Sequence, residues 1–133
     1  MASILLIDDD DTLRMVIAEV LRLSGHTVSE AVNGKSGLNL YLAHKHDLVI
    51  TDIVMPDMDG LELIKALQHA APRQRIIAIS GNIELSEPLY LPLAQRMGVQ
   101  RALAKPVKAE VLLQAVAEVL AEPAPPTVPR PGK

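Results

Sequence analysis

The sequence lacks cysteine, tryptophan and phenylalanine, and Tyr41 and Tyr90 are its only two tyrosines. Without cysteine, the chain can form neither disulfide bonds nor thiolate metal sites. Its 13 basic and 16 acidic side chains give a net charge of −3, with no basic run that could bind nucleic acid or an anionic membrane. No apolar segment approaches the length that spans a bilayer, and the amino terminus is unlike a signal peptide. We therefore expect a cytoplasmic protein whose partners are other proteins, with no nucleic acid and no membrane.

The sequence does contain enough apolar material for one core. Its 133 residues are 49% hydrophobic, and this length is too short for two ordinary domains. The carboxyl-terminal end differs, because five of its last twelve residues are proline and no hydrophobic periodicity continues into it. We expect one domain over residues 1–121 and a disordered proline-rich tail over residues 122–133.

Short apolar segments alternate with segments of helical periodicity along the domain. The apolar segments have the composition of buried strands and cover residues 3–7, 27–31, 48–50, 75–79 and 102–104. The segment at 27–31 is the most polar, which is typical of a sheet edge. Five strands alternating with five helices predict an α/β fold, in which helices cover both faces of a parallel sheet.

The helices are identified by apolar residues three or four positions apart. The third helix is expected over residues 61–69, and the fourth from near Pro88, because proline is tolerated in a first helical turn. The stripes of the other three are Leu13, Val16, Ile17, Val20 and Leu21 in the first, Leu38, Tyr41 and Leu42 in the second, and Val111, Leu112, Ala115, Val116 and Val119 in the last.

Polar residues that can carry chemistry stand at the carboxyl ends of four predicted strands. They are Asp8 and Asp9 after the first, Asp52 after the third, Ser80 after the fourth and Lys105 after the fifth. In an open parallel sheet these ends share one edge, where ligands bind. The residues therefore converge if these four strands are neighbours, although Asp8 and Asp52 are 44 positions apart and Asp52 and Lys105 are 53.

Three carboxylates in one crevice repel one another, and a hard cation with oxygen ligands is the simplest way to keep them ionised. Mg²⁺ fits best, because it binds few protein carboxylates, keeps several waters and shares its shell with phosphate oxygens. A lysine and a hydroxyl can each contact a further phosphoryl oxygen. Together with a carboxylate nucleophile, these groups suit phosphoryl transfer to an aspartate.

The sequence L-V-I-T-D-I-V-M-P-D-M-D-G at residues 48–60, the acidic pair and Lys105-Pro106 resemble a response-regulator receiver domain, the phosphoacceptor half of two-component signalling. The resemblance covers residues 3–121. It implies a single flavodoxin-like (βα)₅ domain whose parallel five-stranded sheet has the order 2-1-3-4-5.

The resemblance also implies a role for each site residue. Asp52 would be the phosphorylated residue, with Lys105 and Ser80 as its lysine and hydroxyl partners. The metal ligands would be Asp8, Asp9, Asp52 and the backbone carbonyl of Val54, with Asp9 binding Mg²⁺ directly.

The implied function is that of a stand-alone response regulator in a phosphorelay. It would accept a phosphoryl group from a histidine kinase or phosphotransfer protein, and would be a signalling domain that assists its own phosphorylation and dephosphorylation rather than an enzyme. A downstream protein would bind the face formed by the fourth helix, fifth strand and fifth helix. Receivers often carry an aromatic switch residue three positions before the lysine, and this chain has Ala102 there, so we expect the loop at 81–88 and the fourth helix to carry the output.

Two alternatives remain open at this point. The acidic run also fits the D-x-D-x-T motif of haloacid-dehalogenase-like phosphatases, with Asp8 as nucleophile. Such enzymes need a further acidic pair after the lysine, and the predicted helix that follows it offers only Glu110 and Glu118. The chain could also be a receiver-like interaction module that is never phosphorylated. Among the remaining polar residues, Asp10 and Asp11 are expected to cap a helix, and the segment at 44–46 to form an exposed helix end.

Overall fold

The computed structural model describes residues 2–53, 55, 60–80 and 98–123. Within these residues the elements are β1 (Ser3–Ile7), α1 (Asp11–Leu23), β2 (Thr27–Ala31), α2 (Gly34–Ala43), β3 (Leu48–Asp52), α3 (Gly60–Ala70), β4 (Arg75–Ser80), β5 (Arg101–Ala104) and α4 (Ala109–Ala121). The fourth helix expected from the sequence, near Pro88, lies outside the described residues, as do Val54 and the loop at 81–88. The helix labelled α4 is the fifth that the sequence predicts.

The five strands form one parallel sheet in the order β2-β1-β3-β4-β5. This order confirms the prediction, including the edge position of β2. The central strands β1, β3 and β4 are buried almost throughout, as their continuous apolar sequences require, whereas β2 carries the partly exposed Ser29 and Glu30.

Alternation along the strands divides the core into two layers. On one face, Ile4, Leu6 and Ile50 pack with the buried sides of α1 and α4, and on the other, Leu5 and Val49 pack with α2 and α3. The first alternation continues to Asp8, which follows β1, and to Asp52, the last residue of β3. Both therefore leave the sheet on the side of α1 and α4.

The buried faces of three helices differ from the predicted stripes. Val16 in α1 is 56% exposed, Leu42 in α2 is 63% exposed and Val111 in α4 is 48% exposed. In α1 the buried line is instead Arg14, Ile17, Ala18 and Leu21. Arg14 is buried although it is not apolar, because it points inward to the Asp8 carbonyl and to Glu30 of β2, and an apolar periodicity cannot reveal such contacts.

The described part of the chain has no helix that is long and apolar enough to cross a bilayer.

Candidate functional site

Asp8 lies at the carboxyl end of β1 and is 1% exposed. Its backbone N–H donates to the Ala31 carbonyl at 3.1 Å, and its own carbonyl accepts from Arg14 Nη1 at 2.9 Å. Asp8 Oδ1 accepts from the Asp10 N–H at 2.9 Å. Within the described residues no donor makes a hydrogen bond to the buried Asp8 Oδ2, which is left with an ion-pair contact to Lys105. The Asp8 backbone is therefore held in place, while its Oδ2 atom faces the crevice that also contains Lys105.

Lys105 connects the ends of β1 and β3. Its Nζ lies 3.1 Å from Asp8 Oδ2 and donates to Asp52 Oδ2 at 3.0 Å. Desolvation by burial lowers the pKa of Lys105, but attraction by Asp52 and then Asp8 outweighs it, and the pKa is raised above its usual value. The side chain therefore stays cationic between two buried carboxylates.

The strand register aligns the ends of β3, β4 and β5. Asp52 is paired with Ile79, and Ser80 with Ala104. The Lys105 N–H donates to the Ser80 carbonyl at 2.8 Å, and the Lys105–Pro106 peptide bond is cis. Ser80 is buried, 1% exposed, and stands one residue beyond the partner of Asp52.

The carboxylates of Asp8, Asp9 and Asp52 form a cluster whose oxygen atoms lie within 4.8 Å of one another. Three carboxylate oxygens this close together could serve as ligands of a single Mg²⁺, which prefers oxygen ligands. Asp9 is exposed while the other two are buried, which leaves one side of the cluster open to solvent. The donor set and the orphaned Asp8 Oδ2 both fit Mg²⁺.

Gly60 brings the start of α3 against the end of β3. Its N–H donates to the Ile53 carbonyl at 2.6 Å. A Cβ atom at this position would overlap the Asp52 carbonyl oxygen and Ile53 Cα, so only glycine allows this approach. The sequence alone could not reveal this contact, because the proximity of Gly60 to the Asp52 backbone depends on the tertiary fold.

The structure thus brings together Asp8, Asp9, Asp52 and Lys105, and places Ser80 on the strand between β3 and β5. Asp10 Oδ1 accepts from the Leu13 N–H at 3.1 Å, which confirms its expected role as a helix cap. The sequence-based interpretation did not identify Arg14, although a basic residue one helical turn after the acidic run could have indicated a partner for these acids.

The acidic pair that a haloacid-dehalogenase-like phosphatase requires is not found near the site among the described residues. The acidic cluster contains only Asp8, Asp9 and Asp52, while Glu118 of α4 pairs with Arg101 at 3.5 Å. The geometry therefore favours the receiver interpretation.

Comparison with known proteins supports the same interpretation. The family model described as "Response regulator receiver domain" matches residues 4–117. The chain is 33% identical over 118 residues to the chemotaxis protein CheY of Bacillus subtilis, covering 88% of this chain and 96% of CheY. It is also 33% identical over 126 residues to the transcriptional regulatory protein GlrR of Escherichia coli, covering 95% of this chain but only 28% of GlrR's length.

Solved structures give the same result. A response regulator receiver domain protein from Clostridium thermocellum superimposes with a TM-score of 0.83 at 29% identity, covering 90% of this chain and 94% of that one.

Proposed function

The chain belongs to the response regulator receiver family, and from this membership we propose that it accepts a phosphoryl group on Asp52. Receivers are phosphoacceptor signalling domains that exchange phosphoryl groups with histidine kinases or phosphotransfer proteins and act on downstream targets. The observation that carries the assignment to Asp52 is its position: a buried carboxylate at the end of the central strand β3, in contact with Lys105 and within the acidic cluster.

The proposed step is an in-line displacement at phosphorus. An Asp52 carboxylate oxygen forms the new bond to phosphorus, and the bond from phosphorus to the donor imidazole nitrogen breaks. The electron pair of the broken bond stays on that nitrogen. Asp52 needs no base, because it is already a carboxylate, so positioning and charge stabilisation are the protein's main contributions.

Lys105 would stabilise the negative charge on the phosphoryl oxygens. Its Nζ already lies 3.0 Å from Asp52 Oδ2, and the raised pKa keeps it protonated. When Asp52 is modified, the ammonium can contact a phosphoryl oxygen without leaving the crevice. Ser80 would contribute its hydroxyl from the neighbouring strand end as a hydrogen-bond donor to a second oxygen.

The residues that would hold Mg²⁺ are Asp8, Asp9 and Asp52, with the Val54 carbonyl as a further expected ligand. When bound, Mg²⁺ would neutralise charge on the phosphoryl group and share its shell with the phosphoryl oxygens. Asp8 is fixed by its backbone contacts, whereas the exposed Asp9 can adjust to an incoming ion.

We further propose that the chain works in the cytoplasm and signals by binding a downstream protein. The partner face would include β5 and α4, where Ala104, Val111 and Glu110 are exposed. The predicted helix near Pro88 would complete this face.

The test uses a small-molecule phosphodonor, acetyl phosphate with Mg²⁺, and follows hydroxylamine-labile acyl phosphate on the protein. We expect Asp52→Asn to abolish the modification and Lys105→Ala to reduce its rate by roughly 10–100-fold, because one charge-stabilising group is lost. Glu19→Gln is the matched control, since Glu19 is an exposed acidic residue of α1 that lies outside the acidic cluster. Full modification of Asp52→Asn would overturn the assignment.

A further inference from the structure

Arg14 is a buried arginine that connects three parts of the molecule. It is 8% exposed. From the first turns of α1 it donates from Nη1 to the Asp8 carbonyl at 2.9 Å and from Nε to Glu30 Oε1 of β2 at 3.2 Å. Its Nη2 lies 2.8 Å from Asp11 Oδ1. The single side chain therefore spans β1, β2 and α1.

Burial of a guanidinium is costly unless its donors are satisfied, so the burial of Arg14 among these partners calls for an explanation. The acidic turn between β1 and α1 carries several like charges that tend to spread it apart. Arg14 opposes this by holding the Asp8 carbonyl, and Glu30 holds Arg14 in turn. The Asp8 backbone is thus fixed at its N–H by Ala31 and at its carbonyl by Arg14.

We infer that Arg14 is a positioning residue for the acidic pair Asp8 and Asp9, and that it holds their carboxylates in the arrangement that binds Mg²⁺. The inference rests on the proposed function, because it takes Asp8 and Asp9 as the metal ligands. Groups that orient metal ligands without touching the metal commonly contribute about 10–100-fold to metal affinity.

The direction of the change in Mg²⁺ affinity distinguishes a positioning role of Arg14 from a purely electrostatic one. A guanidinium bonded to a ligand residue repels a nearby dication, so its removal by itself would tighten Mg²⁺ binding. Loss of positioning would weaken Mg²⁺ binding instead. The two explanations therefore predict opposite changes in affinity for Arg14→Met, which keeps the apolar stem and removes the charge and all donors.

Arg22 provides a matched control on the same helix. It pairs with Glu30 Oε2 at 3.1 Å and donates to the Val28 carbonyl at 3.0 Å, so it also anchors β2 to α1. Its contacts do not include Asp8. Arg22→Met therefore reports the effect of loosening the α1–β2 contact alone.

The experiment measures Mg²⁺ affinity by titration calorimetry, and the rise in melting temperature caused by saturating Mg²⁺, for the unphosphorylated full chain. We expect Arg14→Met to bind Mg²⁺ about 10-fold more weakly than wild type, and Arg22→Met to stay within about twofold. Wild-type or tighter binding by Arg14→Met would overturn the inference, as would an equal loss in Arg22→Met. Absence of Mg²⁺ binding in the wild type would overturn the proposed function itself.

Arg14→Lys carries the same test if Arg14→Met fails to fold. Lysine keeps the positive charge, so the field at the site is nearly unchanged, but one ammonium cannot contact the Asp8 carbonyl, Glu30 and Asp11 as the planar fork does. We expect weaker Mg²⁺ binding than in the wild type, because the positioning contacts are lost while the positive charge remains. Wild-type affinity in this variant would contradict a positioning role.

Discussion

Lys105 allows the buried carboxylates to share one crevice. Two carboxylates, Asp8 and Asp52, contact one ammonium, and Asp9 adds a third charge to the cluster. Three carboxylates and one ammonium together carry two net negative charges, which one Mg²⁺ would neutralise. The lysine thus stabilises the metal-free site only in part, so affinity for a dication remains.

His46 is a buried ionisable group that does not belong to the acidic cluster. The segment 44–46 was expected at an exposed helix end, and this was wrong for His46, which is 4% exposed. Its Nε2 lies 3.2 Å from Ser29 Oγ, and its ring centroid lies 4.4 Å from that of His44. The error arose because a histidine between polar neighbours gives no sign of the pocket that Tyr41 and β2 form around it.

Protonation of His46 should destabilise the fold in mild acid. Burial first, and then repulsion from His44, lower the pKa of His46, with Asp47 opposing. The unfolded chain therefore takes up the proton first as the pH falls through about 6.5, and stability is lost progressively below that pH. Urea unfolding between pH 7.5 and 5 should show a shallower loss in His46→Gln than in wild type. His26, whose pKa is also lowered, accounts for part of the pH dependence that remains in His46→Gln. An identical loss of stability with falling pH in His46→Gln and wild type would contradict this account.

At the scale of elements, α3 is coupled to β3 by direct backbone contact at Gly60. Because a Cβ there would overlap the Asp52 carbonyl oxygen, the start of the helix constrains the backbone of the proposed phosphoacceptor. Gly37 in α2 is also buried, but its Cβ would meet only the side chain of Ile7, which can change rotamer. Substitutions at the two glycines therefore distinguish an effect on the site, expected at Gly60, from an effect on the core, expected at Gly37.

Gly60→Ala should lower both stability and the rate of phosphorylation by acetyl phosphate, because the Asp52 backbone must move. Gly37→Ala should cost about 1–3 kcal/mol of stability through overpacking, with an unchanged rate in the folded protein. Chemical denaturation and the initial rate of acyl-phosphate formation measure the two effects. An equal loss of rate in both variants would argue against a specific coupling at Gly60.

The strands could be predicted from the sequence, because a parallel sheet buried on both faces requires continuous apolar segments between helices. Their order was implied only by the resemblance to the receiver family. The convergence of Asp8, Asp52 and Lys105 followed from that topology. The helix faces could be predicted less well, since α1 buries Arg14 through polar contacts that lie outside its apolar stripe. The contacts of Gly60 and His46 could not be predicted, because they depend on residues distant in sequence.

At the scale of the whole molecule, the carboxyl-terminal helix ends in contacts with the sheet. Arg75 at the start of β4 donates from Nε to the Val119 carbonyl at 3.1 Å and from Nη2 to the Glu122 carbonyl at 2.6 Å. Arg101 of β5 pairs with the Glu122 carboxylate. These contacts end at Glu122, next to the boundary that we propose between domain and tail.

Two truncations test this boundary. Deletion of residues 123–133 should leave the free energy of unfolding and the phosphorylation rate unchanged, because the deleted sequence has little apolar surface to bury. Deletion of residues 119–133 should cost about 2–4 kcal/mol, since it removes the buried Val119 and both carbonyls that Arg75 contacts. A large loss of stability on the shorter deletion would show that the tail is docked.

The central claim, that Asp52 is the phosphoacceptor, is tested most directly by locating the acyl phosphate in the wild-type chain. The protein is incubated with acetyl phosphate and Mg²⁺, the acyl phosphate is reduced with borohydride to homoserine, and the peptides are sequenced by mass spectrometry. We expect homoserine at position 52 alone, and none when Mg²⁺ is chelated. Homoserine at position 8 would contradict the account and support a phosphatase-like nucleophile.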